Sequence, residues 1–492
     1  MKRIVLPLIS SLFLISSWSF AQNDIDALRY SSTTFGGTAR YMSMGGAFGS
    51  LGADFSSLST NPAGIGLFTK SELTITPSFY IGSTKSTYNG IDAKDVQYNF
   101  NLSNAGFVLS SPTSSGTSVF KRFQFGFGVN RINNFNDRQL MEGYNSMNSI
   151  TDTYVDFANG ISYIDLEDDP NGNYAFDLSP AWYAYMIDTI AGSGGYEYYP
   201  AVPAGSNLYQ RLEKNTWGSM NEMVLSFGTS VSDRLYLGAT LGFPYIRYFE
   251  ELSYTEIDKD GSIDDFSELR QYNKLTTTGS GFNFKFGMIL KATDWLRLGG
   301  SVHTPTWYDN MSDSWYSEYS TQFDNGDSYF KRSPIGNYNY RLETPWRAMG
   351  SASLLFFRSW IISTEYEYID YTSAKLRSPG YSFYDENRDI QNKYRPTHNF
   401  RLGTELRVDA MYYRLGAAYY MSPYNNDINN AERFYLTGGL GVRDKNFFLD
   451  IAYVHSMSNY NYYMYSSPNV VPEPVDNKSF TDNIVLTLGF RM

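Results

Sequence analysis

The sequence of residues 399–408 is NFRLGTELRV, in which apolar and polar side chains alternate one by one. Successive side chains of a β-strand point to opposite faces, so Phe400 and Leu402 share one face while Arg401 and Glu405 share the other. A strand of a soluble sheet turns its apolar face to a core and its polar face to water. A strand of a membrane barrel turns its apolar face to lipid and its polar face to the lumen. The alternation therefore predicts a strand of one of these two classes.

The same pattern recurs along the chain, and its repetition favours the membrane class. Residues 96–103, 123–130 and 484–491 alternate in the same way. The polar faces of the predicted strands carry charged side chains, which a polar lumen accommodates: Arg297, Glu365, Glu367, Arg401, Glu405, Arg407, Arg414 and Asp450. The chain has 43 Tyr and 34 Phe, yet its mean hydropathy is −0.37. Strands that alternate between lipid and water have this composition.

These segments predict an all-β fold, a 14-stranded antiparallel transmembrane β-barrel. The predicted strands cover residues 70–83, 95–110, 120–131, 221–231, 235–255, 270–292, 295–310, 340–356, 359–376, 398–408, 411–421, 432–443, 446–463 and 480–492. Short turns such as Ser232-Asp233 alternate with long loops near 132–220, 311–339, 377–397 and 464–479. In outer-membrane barrels the short turns face the periplasm and the long loops face outward. The long insertion at about 132–220 is therefore predicted to be extracellular.

The first residues indicate export from the cytoplasm. Lys2 and Arg3 precede an apolar run, and Ser19-Phe20-Ala21 offers the small residues of a cleavage site, so residues 1–21 are predicted to be a signal peptide. No later segment has the ~20 consecutive apolar residues of a membrane-spanning helix. The chain has no Cys, which excludes disulfides and lipid attachment through a cysteine. A net charge of −11 argues against a nucleic-acid partner.

Residues 22–69 lie between the predicted signal peptide and the first predicted strand. This segment is rich in Gly and Ser and contains Gly45-Gly46 and Asn61-Pro62-Ala63. Paired glycines permit tight turns in a crowded space, and Asn before Pro initiates a turn with one backbone angle fixed. The tripeptide alone could belong to any loop. Directly before a pattern of barrel strands, it indicates a plug, or hatch, inside the lumen.

The stretches GGTAR (36–40), MGGA (44–47) and STNPAG (59–64) resemble the hatch of the FadL family, outer-membrane transporters of long-chain fatty acids and aromatic hydrocarbons. Thr344-Pro345-Trp346-Arg347, Ser422-Pro423 and Arg433-Phe434 look similar to the family's C-terminal half. The resemblance covers essentially the whole mature chain. It implies a hatch at 22–69, a barrel at 70–492, and a monomeric channel for hydrophobic small molecules in the outer membrane of a Gram-negative bacterium.

The resemblance also implies a route for the ligand and candidate residues along it. Ligand capture is expected at loops 132–220 and 311–339, followed by a lumenal pocket and a sideways exit into the outer-membrane lipid through a kinked third strand. The hatch or gate candidates are Asn61, Pro62, Ala63, Gly45 and Gly46. The ligand-path candidates are Phe35, Met42, Met44, Phe48, Phe55 and Phe68, since Met and aromatic side chains suit apolar ligands of variable shape.

Two further groups of candidates have an alternative interpretation. Gly126 and Gly128 in the third strand are kink candidates, or they make room for hatch side chains. Arg297, Arg401 and Arg414 are candidates to bind a ligand carboxylate in the lumen, unless neighbouring carboxylates pair with them.

Metal, cofactor and catalytic sites are not expected. Residues 256–267 loosely follow the spacing of a calcium loop, but Ser267 stands where the bidentate ligand belongs, so a solvated loop is favoured. The three histidines, His303, His398 and His455, are isolated in sequence, which disfavours a haem site or a catalytic Ser–His pair.

Two alternatives to an uptake channel stay open. One is a barrel like the carrier of the type IX secretion system, which binds protein cargo and should present an exposed groove. The other is a permanently plugged barrel that serves surface interactions. An uptake channel should instead enclose an apolar pocket.

Overall fold

The computed structural model describes residues 23–113, 119–169, 172–357, 359–425 and 429–492. The predicted signal peptide, residues 1–21, lies outside the described residues. The barrel strands are β1 (Glu72–Tyr88), β2 (Ile91–Pro112), β3 (Phe120–Asn134, continued by Asp137–Asn145), β4 (Leu208–Val231), β5 (Leu235–Ile257), β6 (Phe266–Lys291), β7 (Leu296–His303, continued by Trp307–Phe323), β8 (Gly336–Glu343, continued by Arg347–Phe356), β9 (Trp360–Asp370, continued by Lys375–Arg377), β10 (Pro396–Val408), β11 (Met411–Tyr420), β12 (Arg433–Arg443), β13 (Phe447–Tyr462) and β14 (Val475–Arg491).

The strands form a closed antiparallel barrel of 14 strands, as predicted. Each strand pairs with the next in sequence, and β14 pairs with β1 from Glu72↔Arg491 to Thr87↔Asp476. Closure leaves no free edge at this seam, so the backbone groups of both strands are hydrogen-bonded within the wall. The described residues contain no helix long and apolar enough to cross a membrane.

The two faces of the wall are those that the alternation predicts. On β10, Leu402 is 50 % exposed on the outside, whereas Arg401 and Glu405 are buried inside. The outer surface carries an apolar belt that includes Leu73, Phe100, Phe286, Leu415, Leu440, Ile451 and Ile484. An apolar belt around a polar interior is the architecture of outer-membrane barrels.

The hatch occupies the lumen. It comprises α1 (Asp24–Ser31), α2 (Ala39–Ser43) and two 3₁₀ segments, Phe55–Ser59 and Pro62–Leu67. Most of its side chains from Phe35 to Phe68 are buried, and they pack against the inner faces of the strands. The position of residues 23–69 inside the barrel agrees with the predicted hatch.

The wall is much taller on one side than on the other. β4, β5 and β6 have 24, 23 and 26 residues, whereas β10, β11 and β12 have 13, 10 and 11. At ~3.3 Å per residue and a tilt of ~40°, ten residues span about 25 Å along the membrane normal. The short side therefore just crosses a membrane, and the tall side continues well beyond it.

Two segments that were predicted to be loops are partly β-strands on the tall side of the barrel. Residues 137–145 and 208–220 within the predicted loop 132–220 belong to strands, as do residues 311–323 within the predicted loop 311–339. Above the belt the outward side chains are polar, for example Glu213, Glu251 and Glu318, so the apolar alternation that marks a lipid-facing strand is lost there.

The segment between these strands forms a cap over the barrel, described for residues 146–169 and 172–207. It contains α3 (Ile150–Ala158), α4 (Tyr163–Asp168), α5 (Leu178–Tyr183) and a two-stranded sheet of Ile187–Thr189 and Tyr198–Pro200. Leu166, Ala181 and Met186 form its core with upper barrel residues such as Tyr319. A further helix, α6 (Tyr384–Lys393), follows β9 and is joined to α1 by the ion pair between Lys393 and Asp24.

Candidate functional site

The Asn61-Pro62-Ala63 motif joins the hatch to the wall. The Asn61 carboxamide oxygen accepts a hydrogen bond from the Ala63 amide at 3.1 Å and caps the 3₁₀ segment that starts at Pro62. The Asn61 amide group donates to the carbonyl of Gly49 at 2.5 Å and to that of Met288 on β6 at 3.2 Å. One side chain thus fixes the turn, crosses the hatch and binds the barrel.

The Gly45-Gly46 pair forms a tight turn against the opposite wall. Both residues have left-handed backbone angles, with φ of 61° and 76°. A Cβ at Gly45 would lie 2.8 Å from the carbonyl oxygen of Ala417 on β11. Glycine is required here because a side chain would meet both backbone strain and the barrel wall.

The three lumenal arginines that were candidates for ligand binding are already engaged. Arg401 donates to Glu365 and, at 2.7 Å, to Glu367. Arg414 donates to Glu405 and to Asp450, both at 2.6 Å.

Arg297 donates to the Leu51 carbonyl of the hatch at 3.2 Å. Arg40 of the hatch also forms a two-bond pair with Glu405, with both distances 2.9 Å. Arg40 and Arg297 thus hold the hatch to the wall. The carboxylate pairing that the alternative interpretation allowed is found for Arg401 and Arg414 but, among the described residues, not for Arg297.

A cavity of about 1590 Å³ lies between the hatch and the extracellular segments. Its walls come from the strands above the hatch, from α1, from the cap helices and from the loops on the short side of the barrel. Fifteen tyrosines line it, among them Tyr80, Tyr154 and Tyr420. Tyrosine presents an apolar ring and a polar hydroxyl, so this surface suits an amphipathic or aromatic molecule.

Only two of the six ligand-path candidates reach this cavity. Phe35 and Met42 line its floor. The other four pack within the hatch or between the hatch and the wall, where they are fully or almost fully buried: Met44, Phe48, Phe55 and Phe68. Their apolar character serves hatch packing, which a sequence pattern does not distinguish from a ligand path.

The cap contributes one carboxyl to the cavity. Asp177 caps the start of α5 and accepts a hydrogen bond from the Leu178 amide at 2.6 Å. Burial raises the pKa of Asp177 to about 6, because the charged carboxylate loses solvation beneath the cap.

The wall is interrupted between β2 and β3. Their pairing runs from Pro112↔Arg122 to Asn104↔Asn130 and ends there, although β2 continues to pair with β1 as far as Ile91. Beyond a register shift between Arg131 and Asn133, β3 pairs only with β4.

The upper part of β3 moves inward at this point. Its continuation, Asp137–Asn145, approaches the inner face of β1, where a Cβ at Gly143 would lie 2.7 Å from the carbonyl of Tyr88. Residues 91–103 of β2 therefore have no ladder partner on the β3 side.

The break does not lie at Gly126 and Gly128. Both residues are in regular register with β2 and with β4. A Cβ at Gly128 would lie 2.5 Å from the ring of Phe55, and one at Gly126 would lie 3.0 Å from Leu58 and Ile65. These glycines make room for the hatch, and the irregularity begins at Arg131.

Neither a family model nor a curated protein sequence matches the chain. Solved structures do. A FadL homologue of Pseudomonas aeruginosa has a TM-score of 0.56 at 14 % identity, with 93 % of this chain and 98 % of that chain covered. The toluene transporter TodX of Pseudomonas putida has 0.53 at 13 %, and the toluene transporter TbuX of Ralstonia pickettii has 0.50 at 14 %; each covers 93 % of this chain and 99 % of the other. The chain has the FadL fold.

Two arginines that line the cavity of this FadL fold were not among the candidates identified from the sequence. Arg131 and Arg433 line the cavity, and among the described residues neither has a carboxylate within ion-pair distance. Arg433 lies opposite Tyr420 and Ser458 on its neighbouring strands, and Arg131 lies opposite Asn221. The signal that separates them from the paired arginines is this lack of an acidic cross-strand neighbour, which appears only when the register is known.

Proposed function

We propose that the chain is a gated channel that passes hydrophobic or amphipathic small molecules across the outer membrane of a Gram-negative bacterium. The ligand enters the cavity from outside and leaves sideways between β2 and β3. The observation that supports the proposal is that the cavity extends to the place where the pairing of β2 and β3 ends. Its lining includes Asn101 and Ser103 of β2 and Arg131 and Asn133 of β3, where the ladder between these strands ends.

The hatch supports a sideways exit over a straight one. It fills the lumen below the cavity and is fixed to the wall through Asn61, Gly45 and the Arg40–Glu405 pair. The break lies beside apolar outward side chains of β2, since Phe100 is 74 % exposed. A ligand that moves through the break passes from a tyrosine-lined cavity to lipid without crossing periplasmic water.

The cavity also favours a channel over the cargo-carrier alternative. A carrier for folded protein cargo needs an exposed groove, whereas the cavity here lies beneath the cap and above Phe35 and Met42. The neighbouring toluene transporters share the fold and support a small apolar or aromatic ligand. All elements of the route come from one chain, which is consistent with a monomer.

The proposed gate is the hatch floor, held by Asn61, Pro62, Ala63, Gly45 and Gly46. Phe35 and Met42 contact the ligand on that floor. Arg131 and Arg433 replace the three earlier candidates as the groups that would bind an anionic headgroup, because they line the cavity and form no ion pair in the described part of the chain. Arg297 does not line the cavity, and Arg401 and Arg414 are paired with carboxylates.

The test is uptake of labelled toluene and of a labelled long-chain fatty acid in cells that lack other such channels. Asn133→Trp places a large side chain at the break, and Asn337→Trp places the same side chain on the outer surface of β8 as a control. We expect uptake with wild type and with the Asn337 variant, and a several-fold loss with the Asn133 variant. No uptake with wild type would refute the channel, and normal uptake with both variants would refute the exit.

A further inference from the structure

Three lysines form a row on the outside of the barrel, toward the extracellular ends of β2, β1 and β14. Lys94 of β2 lies directly opposite Lys85 of β1, and Lys85 lies directly opposite Lys478 of β14. All three side chains are exposed. Directly opposed side chains have Cβ atoms ~5 Å apart, and like charges in this arrangement repel one another. We call these residues the lysine row.

Among the described residues, only one member of the lysine row forms an ion pair. The Lys85 ammonium pairs with the Asp92 carboxylate at 2.7 Å. The nearby Asp95 pairs instead with Arg138 at 3.0 Å. Among the described residues, no carboxylate lies within ion-pair distance of Lys94 or Lys478. Lys94 and Lys478 therefore form no ion pair, although Asp92 and Asp476 lie one outward position above the row, opposite Thr87.

Two rows of outward residues separate the lysine row from the apolar belt, and the lower of them holds Ile81, with Tyr98 and Asp482 beside it. Ser83 on β1 is the next outward residue toward the periplasm, with Val96 and Phe480 beside it. Four residues below Ser83 the outward side chains are wholly apolar, and all three are exposed: Phe79, Phe100 and Ile484.

The height of the row matches the edge of a bilayer. Leu73, at the periplasmic end of β1, and Lys85 are 12 residues apart in sequence. This separation corresponds to about 40 Å along the strand, or about 30 Å along the membrane normal at a tilt of ~40°. The hydrocarbon layer of a bilayer is also ~30 Å thick. The three ammonium groups therefore stand at the level of the outer-leaflet headgroups.

We propose that Lys94, Lys85 and Lys478 bind the phosphate group of an outer-leaflet lipid. A phosphate accepts hydrogen bonds from several ammonium groups at once and removes the repulsion along the row. The apolar surface formed by Phe100, Phe79 and Ile484, six residues farther along each strand toward the periplasm, receives the acyl chains, which a free phosphate ion would leave uncovered. This site is on the outer wall, away from the cavity, so it stands independently of the proposed transport.

The test uses the purified full chain in mixed micelles of phosphatidic acid and phosphatidylcholine, with bound lipid counted by native mass spectrometry. The double substitution Lys94→Gln/Lys478→Gln, called the row variant, removes the charges of the two lysines that form no ion pair. Lys259→Gln/Lys375→Gln removes two exposed lysines elsewhere as the charge-matched control. We expect wild type and the control to retain phosphatidic acid in preference to phosphatidylcholine. Retention of phosphatidic acid by the row variant should fall about thirty-fold, because that is the usual effect of two lysines on binding to an anionic membrane surface.

Thermal unfolding gives a second readout that does not depend on lipid retention. In phosphatidylcholine alone, the row variant should melt at a higher temperature than wild type, because a repulsive row has been removed. Phosphatidic acid should raise the melting temperature of wild type and of Lys94→Arg/Lys478→Arg, but not that of the row variant. Equal retention by wild type and row variant would overturn the site. Equal protection by inorganic phosphate would overturn its assignment to a lipid.

Discussion

Gly238 on β5 lies directly behind the hatch, and replacing it with alanine tests whether this contact keeps the lumen closed. A Cβ at Gly238 would lie 2.2 Å from the carbonyl oxygen of Pro62 and 2.4 Å from its carbonyl carbon. Non-bonded carbon atoms prefer separations of ~3.5–4.0 Å, so one partner must move by more than ~1 Å. Both contacted atoms belong to the backbone, and no flexible side chain can turn aside.

The expected effect follows from this overlap. Extra methyl groups in a packed interior cost ~1–3 kcal/mol. Gly238 itself is not among the glycines with a left-handed backbone, so the alanine adds no strain of its own. The cost therefore falls on the docked position of the Pro62–Leu67 segment. Since ~1.4 kcal/mol is a factor of ten, the displaced hatch should become about 5- to 150-fold more populated.

Single-channel recording in planar bilayers measures that population as ion-conducting openings. Gly350→Ala is the matched control, because a Cβ at Gly350 meets nothing within 4 Å. We expect more frequent openings for Gly238→Ala, wild-type recordings for Gly350→Ala, and intact barrels in both. Recordings and melting temperatures indistinguishable from wild type for Gly238→Ala would refute the view that this contact holds the hatch.

Four other changes give further expected outcomes. Leu402→Arg puts a charge on the lipid face and should lower the free energy of unfolding in vesicles by ~2–4 kcal/mol, whereas Leu402→Ile should not. Pro62→Gly should widen the hatch ensemble and alter ligand uptake while the barrel still folds; unchanged uptake would argue against a gate there. The raised pKa of Asp177, about 6 against an ordinary 3.8, makes the cap lose stability as pH rises through that interval, because the folded state holds the proton more tightly. Asp177→Asn should remove this pH dependence of hydrogen exchange in α5. Arg433→Gln should weaken binding of laurate but not of dodecanol, as measured by calorimetry, and an equal loss for both would contradict an anion-binding role.

The strands within the membrane could be predicted from sequence because lipid enforces a simple alternation. Every second side chain of β10 meets hydrocarbon, so Phe400 and Leu402 stand out from Arg401 and Glu405. The hatch could be predicted as well, since Asn61 and Pro62 form a turn by themselves, without contacts from distant residues. These features depend on residues that are close together in the sequence and on the lipid that surrounds the barrel.

The remaining features depend on contacts between distant residues. Above the membrane both faces of the strands contain polar residues, and the alternation that marked residues 221–231 was lost at 208–220 although β4 continues there. Whether a lumenal arginine is free depends on the register. Arg401 lies opposite Glu365 and is consumed, while Arg433 lies opposite Tyr420 and is not. The end of the β2–β3 pairing at Asn130 likewise has no signal in the local sequence. Beyond this residue β3 contacts β1 and β4 instead of β2, and both contacts are between residues distant in sequence.

In the proposed channel, the uneven height of the wall determines how a ligand finds the cavity. On the tall side, about 35 Å of strand stands above the membrane and blocks approach. On the short side the strands end near the lipid surface, and the cavity lining there includes Tyr381 of the loop after β9 and Pro423 of the loop after β11. A poorly soluble molecule that has partitioned into the outer leaflet can therefore reach the mouth by moving along the membrane. Its search is a diffusion in two dimensions, and its supply is set by the concentration in the leaflet and not by its solubility in water.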